Sequence, residues 1–247
     1  MNKYYTRVCN FYYGLESKSK VKKKLTLPLN GEDTISFDEI EIKKRKSKKK
    51  INIKKVKYLK KNLKQKIKSD LNLITKKKFF KKLSFSNSPI LMGVLNLTPD
   101  SFSDGGKYTK KNLGYLHCKE MIKAGCKIID IGGESTRPGS ITIKPQKEWE
   151  RIKTTLKKLK KLNHFISLDT QKTWVMEKGY KNKINLINDI SGLNHDPNTI
   201  NFLKKTNMPF VINHMKGIPK TMQKKPKYEN VLLDIYDFFE NKIKKID

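Results

Sequence analysis

The chain has 247 residues, of which 36% are hydrophobic, and a formal net charge of +33. This length suits one large or two small domains, and the apolar content is low but sufficient for a core in part of the chain. The three cysteines are odd in number and lack metal-binding spacing, which argues against a disulfide framework and a zinc site. Since the sequence has no run of about 18 apolar residues and no secretory leader, it predicts a cytoplasmic protein without a membrane partner.

The positive charge is concentrated in the first third of the sequence. Residues 1–85 contain 27 Lys and Arg against 7 Asp and Glu, a balance that would ordinarily suggest nucleic acid as a partner. Lys, Asn and Ile are abundant along the whole chain, however, so we attribute the charge to a compositional bias. A basic nucleic-acid binder stays open as an alternative, and it would show salt-dependent binding with aromatic residues interleaved among the lysines.

The first 85 residues are predicted to form a basic N-terminal extension. Residues 25–42 alternate apolar and polar positions on both sides of Asn30-Gly31, a residue pair favoured in tight hairpin turns. Residues 43–82 are dominated by lysine with only weak helical spacing, and they are predicted to be a solvated helix or a disordered Lys-rich linker.

From Pro89 onward, short apolar runs alternate with amphipathic stretches. Five strands, each followed by a helix, predict an α/β fold with the parallel (β/α)8 architecture of a TIM barrel, which needs about 250 residues for eight units. Residues 88–247 would hold only the first five units. We therefore expect about 90 further residues to be required after Asp247, and we expect the chain as given to be inactive on its own.

Polar residues end the predicted strands, where such barrels carry their active sites. Asn96 precedes the loop LTPDSFSDGG, and the second strand runs into GGESTRPGS, in which Arg137 offers a fork for phosphate oxygens. Asp169 and Asn188 end the third and fourth strands, and their carboxylate and amide groups suit a nitrogen-rich heterocycle. These features together predict a phosphorylated, heterocyclic substrate.

Five ordered motifs resemble the successive signatures of dihydropteroate synthases. They are MGVLNLTPDSFSDGG at 92–106, IDIGGESTRPGS at 129–140, SLDT at 167–170, INDISG at 187–192 and HMKGIPKTMQ at 214–223. The resemblance implies a transferase of tetrahydrofolate biosynthesis. It would condense 7,8-dihydropterin-6-ylmethyl diphosphate with 4-aminobenzoate, giving 7,8-dihydropteroate and pyrophosphate, and the full-length enzyme would be a homodimer.

The resemblance also implies roles for single residues. Asn96 would hold the pyrophosphate with Mg2+, as metal ligand and catalytic residue, and Arg137 would be the second catalytic residue. Asp169 and Asn188 would bind the pterin ring, and Met215 would touch its face. The pocket for 4-aminobenzoate, which sulfonamides would share, would include Phe102, Thr136 and Pro138.

Three family features have no counterpart before Asp247: a pterin-binding aspartate in a later glycine-rich loop, a lysine in a serine-arginine-lysine motif, and a terminal arginine and histidine. One alternative is therefore a catalytically incomplete pterin-binding paralogue or a truncated product. Another is a pterin-dependent methyltransferase barrel, which would keep Asp169 and Asn188. Such a barrel would lack the long loops at 97–106 and 132–140, and their presence argues against it.

Overall fold

A computed structural model of the chain describes residues 3–78, 89–98, 112–135, 141–217, 221 and 225–246. The chain divides into two compact units, Met1–Ser88 and Pro89–Asp247. Each unit has its own cluster of buried apolar residues. Within the described ranges, no helix is both long and apolar enough to cross a membrane.

The first unit is built around a four-stranded antiparallel sheet. The long strand β3 pairs with β1 along one side and with β2 and β4 along the other. The elements in chain order are β1 (Tyr5–Tyr13), α1 (Gly14–Lys22), β2 (Leu27–Leu29), β3 (Glu32–Lys43), β4 (Lys48–Asn52), a 3-10 helix (Ile53–Tyr58) and α2 (Lys61–Thr75).

The turn between β2 and β3 follows from its two central residues. Leu29 pairs with Glu32, so the loop consists of Asn30 and Gly31 alone. Their φ angles of 52° and 75° are both positive. A two-residue hairpin turn of this kind matches the twist of the strands and favours Asn-Gly because these residues tolerate positive φ.

Residues 43–82 were predicted to be a solvated helix or a disordered linker; in the described part residues 61–75 do form a helix, α2, but β4 and the 3-10 helix precede it and the segment is not disordered. Residues 48–75 form β4, the 3-10 helix and α2, and each of these elements contributes a buried apolar side chain. Ile51, Val56 and Ile67 pack with Phe37 and Ile40 of β3 in one core cluster. A few apolar residues among many lysines are enough to anchor the segment, because the lysine side chains extend to solvent around them.

The second unit contains five parallel strands in the order β5-β6-β7-β8-β9. A helix follows each strand, so the five units of the predicted (β/α)8 barrel are present. In chain order they are β5 (Met92–Asn96), α3 (Leu113–Lys123), β6 (Ile128–Gly132), α4 (Pro145–Lys160), β7 (Phe165–Asp169), α5 (Thr173–Lys181), β8 (Leu186–Asp189), α6 (Thr199–Thr206), β9 (Phe210–Ile212) and α7 (Val231–Ile246).

Alternation along the strands separates a core face from a site face. Leu95, Ile131 and Leu168 are buried against apolar residues of the helices, including Ile152 and Met176. Strand side chains alternate between faces, so Asn96, Gly132 and Asp169 lie on the other face. The five-unit sheet thus presents its polar strand ends on the face away from the helices.

A substitution in α2 tests whether the Lys-rich segment belongs to a folded core. Ile67 is fully buried, whereas Leu73 of the same helix is 59% exposed. We expect Ile67→Ala to lower the free energy of unfolding of the first unit by about 2–5 kcal/mol, through lost burial and a cavity. Leu73→Ala should change it by less than about 0.5 kcal/mol. Chemical denaturation measures both, and equal small effects would contradict the core.

Candidate active site

Three of the predicted site residues lie in one row across the sheet. Asn96 pairs with Gly132, Gly132 pairs with Asp169, and Asp169 pairs with Asn188. Paired positions of neighbouring parallel strands point to the same face, so the three side chains share the site face at the carboxyl ends of β5, β7 and β8. The row therefore places an amide, a carboxyl group and a second amide next to one another.

Gly132 has no side chain, and this leaves room beside it for the side-chain oxygen atoms of Asn96 and Asp169. A Cβ atom built on Gly132 would lie 3.2 Å from Asp169 Oδ2 and 3.3 Å from Asn96 Oδ1. Both contacts are tighter than ordinary van der Waals separation, so a Cβ atom at this position would require these oxygen atoms to shift by a few tenths of an ångström. The missing side chain lets oxygen atoms from β5 and β7 flank β6.

A second pair of buried polar residues lies on the same face, two residues nearer the start of the strands than the row. Asp130 precedes Gly132 by two residues and pairs with Ser167 of β7. Asp130 is 3% exposed and Ser167 is fully buried. Asn188 Nδ2 donates a hydrogen bond of 2.9 Å to Asp130 Oδ2. The row of site residues is thus connected downward to a carboxyl group inside the sheet.

Burial dominates the electrostatics of these carboxyl groups. Burial, followed by the negative charges of the neighbouring Asp130, Glu148, Asp189 and Glu134, raises the pKa of Asp169 to about 8. Burial also raises the pKa of Asp130, although hydrogen bonds with Ser167 and Asn188 partly offset the shift. With a pKa of about 8, the Asp169 carboxyl group holds its proton near neutral pH and can act as a hydrogen-bond donor as well as an acceptor.

Asp189 has a different role from its neighbour Asn188. It is fully buried, and its carboxylate oxygens accept hydrogen bonds from the backbone N–H groups of Ser191 and Leu193 at 2.8 and 3.1 Å. Asp189 therefore shapes the loop after β8 and lies on the face opposite to Asn188, as expected for consecutive strand residues.

A buried ionic network adjoins the row and was not predicted from the sequence. Lys172 Nζ donates to Glu134 Oε1 at 2.8 Å and to Glu148 Oε2 at 2.7 Å. The side chains of all three residues are less than 8% exposed. One lysine among 56 Lys and Arg residues gives no sequence signal of its burial, so only the fold reveals this network.

The network anchors the base of the loop after β6. Glu134 Oε1 also accepts a hydrogen bond of 2.8 Å from the backbone N–H of Ile143, which joins the two ends of the segment between them. Arg151 of α4 donates to the carbonyl oxygen of Gly133 at 2.7 Å. Because Lys172 follows Asp169 by three residues, the same ammonium group connects this loop base to the strand end that carries Asp169.

The segment after β9 forms a separate aromatic cluster. His214 Nε2 lies 3.1 Å from the Tyr228 hydroxyl oxygen, and its ring packs edge-on against Phe238 at a centroid distance of 4.6 Å. Met215 is half-buried, Asn213 is exposed, and no contact places Met215 beside Asp169 or Asn188. The predicted contact of Met215 with the ring stays a prediction.

The remaining predicted site residues are Phe102, Thr136, Arg137 and Pro138, and all four lie outside the described residues. Within the described ranges, no group of three or more His, Cys, Asp or Glu side chains could hold a metal ion. The oxygen atoms of Asn96 and Asp169 beside Gly132 are the hard donors that the row offers to a cation.

A family model and the curated relatives of this chain indicate the same family. The model of a family described as "Pterin binding enzyme" matches residues 92–247. The dihydropteroate synthase of Neisseria meningitidis serogroup B is 40% identical over 151 residues, which cover 60% of this chain and 53% of the relative. That of Escherichia coli K12 is 38% identical over 160 residues, covering 64% and 56%. The chain thus spans about half the length of the curated relatives it matches.

Solved structures give the same result. A Yersinia pestis dihydropteroate synthase in a sulfonamide drug complex superposes with a TM-score of 0.62 at 36% identity, over 68% of this chain and 62% of that one. A Burkholderia cenocepacia dihydropteroate synthase complexed with 7,8-dihydropteroate gives 0.57 at 33% identity, over 66% and 55%. The βα units described above thus have counterparts in these enzymes.

Replacing Lys172 tests the buried network. Lys172→Met keeps most of the side-chain volume but leaves Glu134 and Glu148 buried without their cation. We expect the free energy of unfolding of the second unit to fall by about 3–5 kcal/mol, as for other broken buried ion pairs. The matched control is Lys181→Met at an exposed position of α5. A loss below about 1 kcal/mol in chemical denaturation, equal to the control, would contradict the network.

Proposed function

The chain belongs to the pterin-binding enzyme family, and from this premise we propose that the whole protein is a dihydropteroate synthase. It would transfer the pterin methylene group of 7,8-dihydropterin-6-ylmethyl diphosphate to 4-aminobenzoate, releasing pyrophosphate in folate biosynthesis. The observation that carries the proposal is the register row that runs from Asn96 through Gly132 and Asp169 to Asn188. The names of the matched relatives support the same activity.

Asp169 and Asn188 are suited to bind the pterin ring. They are register partners on adjacent strands, and an amide and a carboxyl group together can match the alternating N–H and C=O groups of a pteridine edge. The raised pKa of Asp169 extends this match, because a protonated carboxyl group can donate to a ring nitrogen. Met215 would contact the face of the ring.

Asn96 is suited to the diphosphate end of the same substrate. Mg2+ prefers oxygen ligands and is often held by one or two protein groups together with substrate phosphates. The Asn96 amide oxygen fits this role and lies on the opposite side of Gly132 from the Asp169 carboxyl group. When bound there, Mg2+ would supply positive charge that stabilises the departing pyrophosphate. Arg137 would add a bidentate cationic contact to the same oxygens.

The second substrate would bind beside the loop whose base the Lys172 network holds. Phe102, Thr136 and Pro138 are proposed to line its pocket, in which sulfonamides would compete with 4-aminobenzoate. Glu134 fixes both ends of the segment that carries Thr136, Arg137 and Pro138 through its bonds to Lys172 and Ile143. The network would thereby set the distance between this pocket and the pterin site.

The proposed reaction needs no nucleophile from the protein. The bond between the methylene carbon and the diphosphate oxygen breaks, and its electron pair leaves with pyrophosphate. The arylamine nitrogen then forms a C–N bond to the methylene carbon and loses one proton to solvent. The residues of this chain would hold and orient the two substrates and stabilise the charge of the leaving group, which is the main source of catalysis in such sites. The whole protein is proposed to act in the cytoplasm as a homodimer.

A condensation assay with matched variants tests the proposal. The longest product of the reading frame that contains residues 1–247 is incubated with the pterin diphosphate, 4-aminobenzoate and Mg2+, and dihydropteroate is measured. Asn96→Ala and Arg137→Ala should each lower kcat/KM by about 100-fold, because each removes a group that stabilises the leaving diphosphate. Asn201→Ala, at an exposed position of α6, should leave it unchanged.

The two alternatives have distinct outcomes in this assay. A product that binds pterin but forms no dihydropteroate would contradict the synthase and favour a pterin-binding paralogue. Dihydropteroate formation that is unaffected by both variants would contradict the assigned residues.

A further inference from the structure

A lysine-rich hairpin joins β3 to β4 in the first unit. Its residues 43–50 read KKRKSKKK, so seven of the eight are Lys or Arg. The backbone N–H of Lys44 donates to the carbonyl oxygen of Ser47 at 2.7 Å and closes the turn. Lys43 and Lys48 begin the register of the two strands, so the hairpin holds its cations on a fixed, extended backbone.

A groove of about 440 Å³ lies along β4, next to this hairpin. It is lined by residues of β3, β4 and the 3-10 helix with the residue that follows it, so it belongs entirely to the first unit. The polar and aromatic groups in its lining come from Glu39, Lys49, Lys50, Asn52, Lys55 and Tyr58. The groove lysines are Lys49, Lys50 and Lys55.

The 3-10 helix brings a lysine and an aromatic ring to the groove. Asn52 Oδ1 accepts a hydrogen bond of 3.0 Å from the backbone N–H of Lys54, which fixes the start of this helix. Val56 is 5% exposed and anchors the helix in the core cluster. Side chains three residues apart eclipse each other in a 3-10 helix, so Lys55 and Tyr58 lie together on another side, and this side lines the groove.

Tyr58 presents an exposed ring at the groove. The residue is 76% exposed, and Lys57 Nζ lies 4.9 Å from the ring centroid. Aromatic rings that stand among cations are the platforms on which unpaired nucleic-acid bases stack. One stacked base changes the affinity by about 5- to 150-fold.

The groove lysines are free to meet an anion. Within the described residues, no carboxylate forms an ion pair with any of the three, and all three are exposed. Glu39 adds one negative charge, so the balance of the groove is positive, which attracts phosphate groups. A compositional bias explains the number of lysines in the chain, but it does not explain why three of them share a groove with an exposed ring.

We propose that this groove binds single-stranded RNA, with the groove lysines on its phosphates and Tyr58 stacked on a base. This is a second function of the chain, and it goes beyond the proposed synthase reaction because all the residues that carry it belong to the first unit. The contacts read the backbone and the face of a base, so the binding does not depend on sequence.

Single-stranded RNA fits the groove better than other anions do. Tyr58 can stack only on a base that is not already stacked in a duplex, and an acidic peptide would leave the ring without a partner. Glu39 distinguishes RNA from DNA, because a carboxylate accepts hydrogen bonds and each ribose offers a 2′-hydroxyl donor that deoxyribose lacks.

Fluorescence anisotropy with the full chain tests the inference. A labelled RNA of about 12 nucleotides, DNA of the same sequence, the RNA duplex and polyglutamate of equal charge are titrated at several salt concentrations. We expect single-stranded RNA to bind about fivefold more tightly than DNA and at least about tenfold more tightly than the duplex or polyglutamate. The logarithm of the affinity should fall with the logarithm of salt at a slope of about −2, which is about 0.7 for each of three phosphate contacts.

Substitutions at two exposed rings separate stacking from charge. Tyr58→Ala should lower the affinity for RNA about tenfold and leave the salt slope unchanged. Tyr58→Phe keeps the ring and should retain the affinity. Tyr13→Ala is the matched control, because it removes a ring of the same unit that is 65% exposed and lies outside the groove, and it should have no effect.

Two triple variants separate position from net charge. Replacing the groove lysines together by Gln should bring the salt slope close to zero. Replacing Lys18, Lys22 and Lys68 by Gln removes the same charge at exposed positions of α1 and α2, and it should change the affinity by less than about twofold. Glu39→Ala should bring the affinities for RNA and DNA within about twofold of each other.

The contradicting results are equally specific. Equal effects of the two triple variants would show that binding follows net charge alone and would overturn the inference. Equal effects of the two tyrosine substitutions to Ala, or tighter binding of DNA, duplex or polyglutamate, would overturn it too. None of these results bears on the condensation assay, so the proposed synthase function is tested separately.

Discussion

The in-register pairing of parallel strands is the constraint on which the site depends. Each strand of the second unit ends at the same level as its neighbour, so one residue per strand is brought into a common row. Residues separated by 92 positions, Asn96 and Asn188, thereby share one face without any direct bond between them. The same pairing places Gly132 between Asn96 and Asp169, where its missing side chain leaves room for both oxygen atoms.

The charge inside the second unit is opposite to the charge of the whole chain. The chain is strongly basic, yet Asp130, Asp169, Asp189, Glu134 and Glu148 surround the strand ends, with one buried lysine among them. Dense surface lysine has little effect on these groups because solvent screens it, whereas buried carboxylates act on each other through a less polar medium. The raised pKa of Asp169 follows from its burial among these carboxyl groups, and it allows the residue to donate as well as accept hydrogen bonds.

The sequence predicted the features that depend on local pattern. Apolar runs that end in polar residues predicted five strands with polar ends, and the parallel fold then required Asn96, Asp169 and Asn188 to lie on one edge. The Asn30-Gly31 turn was predictable for the same reason. The folded state of residues 48–75 was not, since three buried side chains among many lysines have no clear period. The Lys172 network and the bond from Asn188 to Asp130 were also missed, because long-range contacts depend on register and burial.

The most direct test of this account is the pKa of the Asp169 carboxyl group in the intact chain, measured by carbon-detected nuclear magnetic resonance with Asp169→Asn to assign the signal. Burial among negative charges predicts a value of about 8, far above the ordinary value of about 4 for an aspartate. The same shift means that the stability contributed by the neutral group is fully present below about pH 4 and is lost as pH rises from there through about 8. A titration near pH 4 would contradict the account, because it would show that Asp169 is not buried among the neighbouring carboxyl groups.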